Sequence, residues 1–552
     1  MLLSGQITVA GTMYIVVGSG HAGVACAVPL VEAGMPVTMI DGGLQLEQET
    51  QRVVARMAGQ PQNAWSADDL GVIKGNVSAS AKGVQVKKLY GSDFPFRGVD
   101  QHLPRMNSGI GHLTPTLSTG GFSNVWGAAA LPYSESDLRG WPISAKDLEP
   151  FYRSVNRFMP LTGAKDGLEE LFPLTTDHPG RLRPSRQSER ILRSLQRRES
   201  RLRKRGLIFG MPRLAVRAQS SSLPGDGGGV SSSGCSYCGL CLFGCPYGYI
   251  YSTNETLAYL KTFPNFRHVS GVVVDTFHEE AGKVAVHGRS LNSEEKVMFA
   301  GEKLFLAAGI LSTSQMVMRA LGMYDTPIRL PTSEYFMLPM LSVRKTAGVR
   351  TEHLHTLSQI FLECTDKRVS EHSAHMQLYT YSELFKLGLY ESFGPLRPLL
   401  KLFEPEILGR LSVIQGYLHS SCSSSIELRL TKRGTSDLLI LTGHPAQEAK
   451  ATIKRLVSKL RRELLPSGLI PVSPMLNVGQ PGEGRHAGGS FPMSADPSAR
   501  QTDLLGRPSG FRKVHIVDAT VFPTIPASTI TFTAMANAQR IASEVISSSK
   551  TS

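Results

Sequence analysis

The sequence predicts an α/β fold, and three stretches of the chain support this prediction. Near the N-terminal end, the apolar run "MYIVV" is followed by a glycine-rich turn, an apolar helix and a second strand, "PVTMID". A buried strand, a glycine turn at Gly309 and a helix come again in "EKLFLAAGILSTSQMVMRALG". In "VHIVDATVFPTIPASTITFTAMANAQ", a strand ending at Asp518 precedes a turn and a helix that starts near Thr529. Strands that alternate with helices are typical of parallel sheets.

The N-terminal unit carries glycines where a dinucleotide-binding turn needs them. In "GSGHAG", Gly18 permits a tight turn, Gly20 lets the backbone approach a pyrophosphate, and Gly23 lets the helix pack closely on the sheet. The N-terminus of that helix then faces the phosphates. Asp41 follows about 20 residues later at the end of a strand, where a carboxylate can bond a ribose hydroxyl. This Rossmann-like unit predicts a dinucleotide site and does not separate FAD from NAD.

A second glycine-rich stretch lies at 118–155. It contains "STGGFSNVWG", with Asn124 in the middle, and it is either a cofactor loop or a loop under a packed Trp. The following "DLRGWPISAKDLEPFY" predicts a turn and then a helix with its cap near Ser144.

Composition bounds the class of protein. Of 552 residues, 41% are hydrophobic and 19% charged, as in globular proteins of two or three domains. No apolar run reaches the roughly 18 residues of a membrane-spanning helix, and the start of the chain lacks a secretory signal pattern. We therefore expect a cytoplasmic protein, with peripheral membrane contact through the apolar and basic stretch 384–411 as an alternative.

The net charge of +14 is concentrated in one segment. Residues 181–217 hold thirteen Arg and Lys against two Glu, and the Gly- and Ser-rich linker 218–234 follows. The basic segment predicts either a solvated helix face or a surface for something anionic, such as a phosphorylated or lipid-linked substrate, an acidic partner or a membrane surface. It lacks interleaved aromatic residues and a recognition motif, so we expect no nucleic-acid partner.

Four of the seven cysteines lie close together in the sequence. Cys235, Cys238, Cys241 and Cys245 follow the pattern C-x2-C-x2-C-x3-C-P, which is the spacing of bacterial ferredoxins. The pattern predicts an iron–sulfur cluster, [4Fe–4S] or [3Fe–4S]. A tetrahedral zinc site is a less favoured alternative, and free thiols are another.

The glycine motif at 18–23, "GGFSNVWG", "LFLAAGILSTSQ" and "HAGGSFPM…VHIVDATVFPT" occur in a fixed order. Together they resemble the glucose–methanol–choline (GMC) family of FAD-dependent oxidoreductases, and the cysteine segment is similar to that of bacterial FAD-dependent sugar dehydrogenases. The resemblance implies a discontinuous Rossmann-like FAD-binding domain at 10–130, 235–330 and 476–552. It implies an inserted α+β substrate domain and cap at 131–234 and 331–475.

The resemblance also implies the residues of the site. It assigns His486 as the base that takes the hydroxyl proton, a role that suits a neutral imidazole. Thr529 stands where the family usually has a second catalytic Asn or His, so proton removal is expected to depend on His486. The expected FAD contacts are Gly18, Gly20, Gly23, Asp41, Asn124, Val273, Gly309, Asp518 and Ala519.

The function implied by the resemblance is oxidation of a hydroxyl group by hydride transfer to FAD. A sugar, glycoside or polyol is the expected substrate. Because an iron–sulfur cluster passes electrons singly, the cysteines favour a dehydrogenase with a separate electron acceptor. An O₂-using oxidase, a redox-neutral lyase and a non-catalytic flavin-binding protein are the alternatives.

Overall fold

The computed structural model describes residues 7–9, 14–75, 87–218, 234–392, 401, 403–434 and 436–550. The predicted linker, apart from its first and last residues, lies outside the described part of the chain. The helices are α1 His21–Glu32, α2 Gln48–Ala58, α3 Ala67–Lys74, α4 Val99–His102, α5 Ala145–Val155, α6 Arg186–Gln196, α7 Glu199–Lys204, α8 Thr253–Leu260, α9 Ile310–Ala320, α10 Glu383–Ser392, α11 Glu404–Leu408, α12 Gln447–Leu464 and α13 Thr531–Lys550.

The strands are grouped in several sheets. They are β1 Ile7–Val9, β2 Tyr14–Val17, β3 Val37–Ile40, β4 Arg105–Ser108, β5 Leu207–Gly210, β6 Phe266–Val269, β7 Val272–Glu280, β8 Lys283–Ser290, β9 Lys296–Gly301, β10 Lys303–Leu306, β11 Ile328–Pro331, β12 Glu334–Ser342, β13 Ile360–Cys364, β14 Ala374–Tyr379, β15 Leu411–Leu418, β16 Ser425–Arg433, β17 Ser436–His444, β18 Leu469–Pro471, β19 Asn477–Val478 and β20 Val514–Ile516.

A five-stranded parallel sheet in the order β20-β10-β2-β3-β6 forms the first half of the fold. From β2 the chain moves outward to β3 on one side, whereas β10, much later in the sequence, lies on the other side. This reversal is a topological switch point, and ligands of open α/β sheets bind there, beyond the carboxyl ends of the strands. The loops after Val17, Ile40 and Leu306 therefore meet where a ligand is expected.

The predicted strand, glycine turn, helix and strand at the N-terminal end are confirmed. Every residue of β2 and β3 is buried, as a parallel sheet covered on both faces requires. α13 packs against α1 and also against α5, where the hydroxyls of Tyr152 and Thr533 lie 2.7 Å apart. The cap predicted for α5 is confirmed, because Ser144 and Asp147 form a reciprocal capping box.

A seven-stranded antiparallel sheet forms the second half of the fold. Its path is β18-β12-β15-β14-β13-β5, and β19 pairs with β12 beside that path. Alternate residues point to opposite faces of a strand. One face, with Phe336, Leu338, Met376 and Ile414, is buried against α12, and the other face turns towards the parallel sheet. The remaining strands form two four-stranded sheets, β1-β9-β8-β7 and β11-β16-β17-β4.

The basic segment 181–217 contains α6, α7 and β5, and many of its charges have partners. Arg193 pairs with Glu189 within α6, and Arg203 pairs with Glu170. Arg213 is fully buried, with guanidinium nitrogens 3.0 Å from Asp166 and 3.4 Å from Glu169. A buried charge needs such partners to offset its loss of hydration. The segment is thus partly neutralised by carboxylates, and an anionic partner for it stays a prediction.

In its described part, the apolar and basic stretch 384–411 forms most of α10, all of α11 and the start of β15. α10 lies against the face of the seven-stranded sheet that turns towards the parallel sheet, where the Phe385 and Tyr379 rings are 5.7 Å apart. Within the described ranges, none of the helices combines the length and apolar character needed to cross a membrane.

Candidate active site

A cavity of about 1230 Å³ lies between the switch point of the parallel sheet and the inner face of the seven-stranded sheet. It brings together residues that are far apart in the sequence. The predicted site residues in its wall are Gly18, Gly20, Asp41, Val273, Gly309, Asp518, Ala519, His486 and Thr529. Two other predicted contacts, Gly23 and Asn124, are outside the lining, although their neighbours belong to it.

The three glycines of the first turn have different surroundings. Gly18 has a φ of +104°, and a Cβ there would lie 2.4 Å from the carbonyl oxygen of Ala307. A Cβ at Gly23 would lie 1.9 Å from the carbonyl oxygen of Gly18, so the missing side chain lets α1 approach the sheet. A Cβ at Gly20 would meet no described atom within 4 Å. Gly20 thus faces open cavity at the N-terminus of α1.

Asp41 is held at the end of β3 with one oxygen in use and one spare. Its Oδ2 accepts a hydrogen bond from the Ser19 hydroxyl and lies 3.2 Å from Nε2 of His268. Its Oδ1 is buried, and no atom of the described residues hydrogen-bonds to it. A buried carboxylate oxygen without a partner costs free energy. Because Asp41 lines the cavity, that oxygen is available to a hydroxyl of a ligand.

Asp518 fastens the end of β20 to the start of α9. Its Oδ2 accepts hydrogen bonds from the Gly309 amide at 3.0 Å and the Thr313 hydroxyl at 2.6 Å, and its Oδ1 accepts from the Thr520 amide at 3.0 Å. Burial raises the pKa of this carboxyl, and the hydrogen bonds act in the opposite direction. Gly309, with a φ of +83°, forms the turn beside it.

Replacement of Asp518 by alanine is expected to destabilise the fold. The buried donors of Gly309, Thr313 and Thr520 would lose their acceptor, at a cost of about 1–3 kcal/mol for each unsatisfied group. Thermal unfolding followed by circular dichroism measures the effect. Asp518→Asn, which keeps one carbonyl oxygen, serves as the control and should lose less. Equal stability of Asp518→Ala and the parent protein would contradict this role.

Asn124 holds the second glycine-rich loop together. Its amide nitrogen donates to the carbonyl oxygens of Thr119 and Gly121, each at 2.9 Å, and its Oδ1 accepts from the Asn254 amide at 3.0 Å. These bonds explain why Asn124 is buried outside the cavity lining while Gly121 belongs to it. A direct contact of Asn124 with FAD stays a prediction.

His486 projects into the cavity from the loop before β20. Its ring stacks on the ring of Tyr417, with centroids 4.6 Å apart and planes at 23°. Burial lowers its pKa to about 3, so the imidazole is neutral near pH 7. Its Nδ1 is buried, and none of the described atoms is its hydrogen-bond partner. His486 is therefore a neutral base with a ring plane fixed by an aromatic neighbour.

Thr529 and the N-terminal end of α13 close another side of the cavity. The Thr529 hydroxyl donates to the carbonyl oxygen of Ala129 at 3.0 Å. Ile530 and Thr531, where α13 begins, also line the cavity. A helix N-terminus carries a partial positive charge, which favours negative charge developing nearby.

The sequence interpretation missed the residues that surround His486 on the seven-stranded sheet. Tyr335 lies 5.4 Å from Tyr417, ring to ring, and its hydroxyl is buried without a partner in the described part of the chain. Arg485 precedes His486 with a φ of +57°, a conformation that non-glycine residues seldom adopt. Such strain is often found at functional sites. The alternation in "EYFML" and "VIQGYL" indicates strands, but it does not show which face lines a cavity.

The cysteine cluster lies beside the cavity, since Leu242 and Phe243 line it. All seven cysteines are free thiols. The Cys241 sulfur accepts a hydrogen bond from the Thr356 amide at 3.4 Å, and that of Cys245 accepts from the Tyr249 amide at 3.3 Å. Among the described residues, no group of three or more His, Cys, Asp or Glu side chains could hold a metal ion. As placed, Cys235, Cys238, Cys241 and Cys245 do not form a ligand set, and no step is assigned to a cluster.

Comparison with known proteins identifies the fold. Neither a protein-family model nor a curated protein sequence matches the chain. Pyridoxine 4-oxidase from Mesorbium loti matches over 97% of this chain and 99% of its own, with a TM-score of 0.58 and 13% identity. A fungal aryl-alcohol oxidase matches over 98% and 99%, with a TM-score of 0.57 and 12% identity. The predicted fold class, an α/β domain of the FAD-binding kind with an inserted α+β domain, is confirmed.

Proposed function

We propose that this protein is a FAD-dependent enzyme of the GMC kind that oxidises a hydroxyl group of a small molecule. One observation carries the proposal: the glycine turn at the switch point and the neutral base His486 line the same cavity. The fold agrees with it, because the two structures of the same fold are named as oxidases of pyridoxine and of aryl alcohols.

The residues at the switch point fit FAD. Gly20 leaves open space at the N-terminus of α1, which suits a pyrophosphate. The spare Oδ1 of Asp41 suits a ribose hydroxyl. Val273, on β7 beside Asp41, offers an apolar wall for the adenine. Gly309, Asp518 and Ala519 lie at the other end of the cavity wall, by the end of β20.

The residues of this chain then have defined tasks. When bound, FAD supplies the two-electron acceptor to which the carbon-bound hydrogen leaves as a hydride. His486 takes the proton of the hydroxyl, and its low pKa keeps the ring ready to accept it. Tyr417 holds the plane of that ring. The N-terminal end of α13 stabilises negative charge that develops in the cavity. The alcohol loses one hydride and one proton and becomes a carbonyl compound.

Thr529 is expected to contribute much less than His486. Its hydroxyl proton already serves the Ala129 carbonyl, and a hydroxyl is a poor base. Replacement by valine, which keeps the shape, should lower the rate of flavin reduction less than about tenfold. Anaerobic stopped-flow absorbance measures this rate. A loss as large as that of the His486 variants would show that Thr529 takes part in proton transfer.

The primary experiment is an absorbance spectrum of the purified protein, followed by anaerobic mixing with alcohols. Flavin bands that bleach on mixing support the proposal. Bands that no hydroxyl compound bleaches would overturn the assignment as an oxidising enzyme. After bleaching, exposure to O₂ distinguishes the acceptor: rapid reoxidation with peroxide indicates an oxidase, and slow reoxidation indicates a dehydrogenase with a separate acceptor. The names of the two structures of the same fold favour the oxidase.

Iron, sulfide and zinc analysis of anaerobically purified protein tests the cysteine assignment. About three or four iron and sulfide per chain would establish a cluster and would favour the dehydrogenase. About one zinc per chain would indicate a structural site. Protein with flavin and without metal would leave Cys235, Cys238, Cys241 and Cys245 as thiols.

A further inference from the structure

The inner face of the seven-stranded sheet forms one long wall of the cavity. The strand register orders this wall in rows. Tyr335 pairs with Tyr417 beside His486, Met337 with Gln415 in the next row, and Pro339 with Val413 beyond it. Gln377 and Tyr379 on β14 continue the second and third rows, opposite Gln415 and Val413. Leu411 ends the wall.

The wall becomes apolar with distance from His486. Its first row offers two phenol groups and its second offers two amides. The third and last rows offer Pro339, Val413 and Leu411, with the Tyr379 ring. At about 3.3 Å per residue, the distance along β15 from Tyr417 to Leu411 is about 20 Å. This length is much greater than a single sugar ring needs.

α10 covers the apolar end of the wall. Leu384, Phe385, Gly388 and Leu389 line the cavity, and these positions share one face of the helix. The contact between the Phe385 and Tyr379 rings, 5.7 Å apart, places this face opposite the third row. Leu387, on another side of α10, is 38% exposed and is not part of the lining.

We propose that the substrate is an alcohol with an extended apolar body, such as a medium- or long-chain alkyl alcohol, which lies between β12, β15 and α10 with its hydroxyl at His486. The proposal rests on the function proposed above and replaces the expected sugar with another substrate class. Apolar side chains gain by excluding water from an alkyl chain. A polyol there would lose hydration at Pro339, Val413 and Leu411 without gaining hydrogen bonds.

Two measurements on the purified, flavin-loaded protein test the substrate class. The first is the rate of flavin reduction by 1-butanol, 1-hexanol, 1-octanol and xylitol. We expect kcat/KM to rise roughly threefold for each added methylene and to be lowest for xylitol. The second is binding of octyl methyl ether, which has no hydroxyl to oxidise, by isothermal titration calorimetry. We expect it to bind and to compete with 1-octanol.

Two variants on the same helix provide the structural test. A Cβ at Gly388 meets no described atom within 4 Å, so Gly388→Phe fills the apolar end without displacing the wall. It should weaken octyl methyl ether binding and 1-octanol kcat/KM at least tenfold and leave 1-butanol nearly unchanged. Leu387→Gln, the matched control, should change neither.

The outcomes separate this inference from the proposed function. Binding of the ether without bleaching of flavin by any alcohol would support the apolar site and overturn the proposed oxidation. Bleaching by xylitol at rates equal to 1-octanol, with no ether binding, would support the oxidation and overturn the apolar site. A Gly388→Phe variant that binds the ether like the parent protein would also overturn it.

Discussion

Replacement of His486 by glutamine is expected to slow flavin reduction by the best alcohol about 100- to 10,000-fold, the usual contribution of a general base. The imidazole is the base that the structure places in the cavity with its plane fixed by Tyr417. Glutamine keeps a polar side chain of similar length and cannot take a proton at neutral pH. The measurement is anaerobic stopped-flow absorbance with flavin content matched to the parent protein.

The pH dependence provides a second readout for His486. Because burial lowers its pKa to about 3, the ring stays neutral from pH 8 down to pH 5, and the rate of flavin reduction should be flat over this range. A base with the ordinary pKa of 6.5 would lose activity as the pH falls through that value. His444→Gln, at a half-exposed histidine on β17, is the control. Parent-like rates in His486→Gln would exclude this base.

Alanine at Gly20 and alanine at Gly23 are expected to have opposite effects. At Gly23 the new Cβ would lie 1.9 Å from the Gly18 carbonyl oxygen, so α1 must shift from the sheet. Overpacking of this kind costs about 1–3 kcal/mol or more of unfolding free energy. At Gly20 the new Cβ enters open cavity, where it would keep the backbone from the pyrophosphate. Gly20→Ala should bind FAD roughly tenfold more weakly or worse.

Thermal unfolding and flavin content, measured on both proteins, distinguish the two effects. For Gly20→Ala we expect bound flavin to fall while the melting temperature without added FAD changes little, since the helix-cap change costs about 1 kcal/mol or less. For Gly23→Ala we expect the melting temperature to fall first. Loss of FAD and of stability together in Gly20→Ala would mean that its Cβ is not directed into the cavity.

Much of the parallel half of the fold follows from the sequence. The strand, turn and helix units that contain Gly18 and Gly309 were predicted because glycine, strand and helix signals coincide within a few residues. The strand ending at Asp518 was predicted for the same reason. β6 was not separated from the strand after it, because "HVSGVVVDTF" reads as one extended apolar run. Local patterns define such units, and the order of strands in a sheet depends on contacts distant in sequence.

The site was only partly predictable. Its cofactor side depends on glycines and acids that conformation restricts to a few positions, and these line the cavity as Gly20, Asp41 and Asp518. Its substrate side depends on which face of a strand and which face of α10 point inward. Hydrophobic periodicity shows that Leu384 and Phe385 belong to an apolar face, but a helix that covers a cavity and a helix that covers a core have the same pattern.

The order of strands in the parallel sheet has a consequence for how the chain matures. β10 pairs with β2 on one edge and with β20 on the other, and β20 is made about 200 residues after β10. At a synthesis rate of about 5–20 residues per second, the β10 edge waits on the order of 10–40 s for its partner. During that time it presents unpaired backbone groups to other chains. Expression at lower temperature or with chaperones should therefore raise the yield of correctly folded protein.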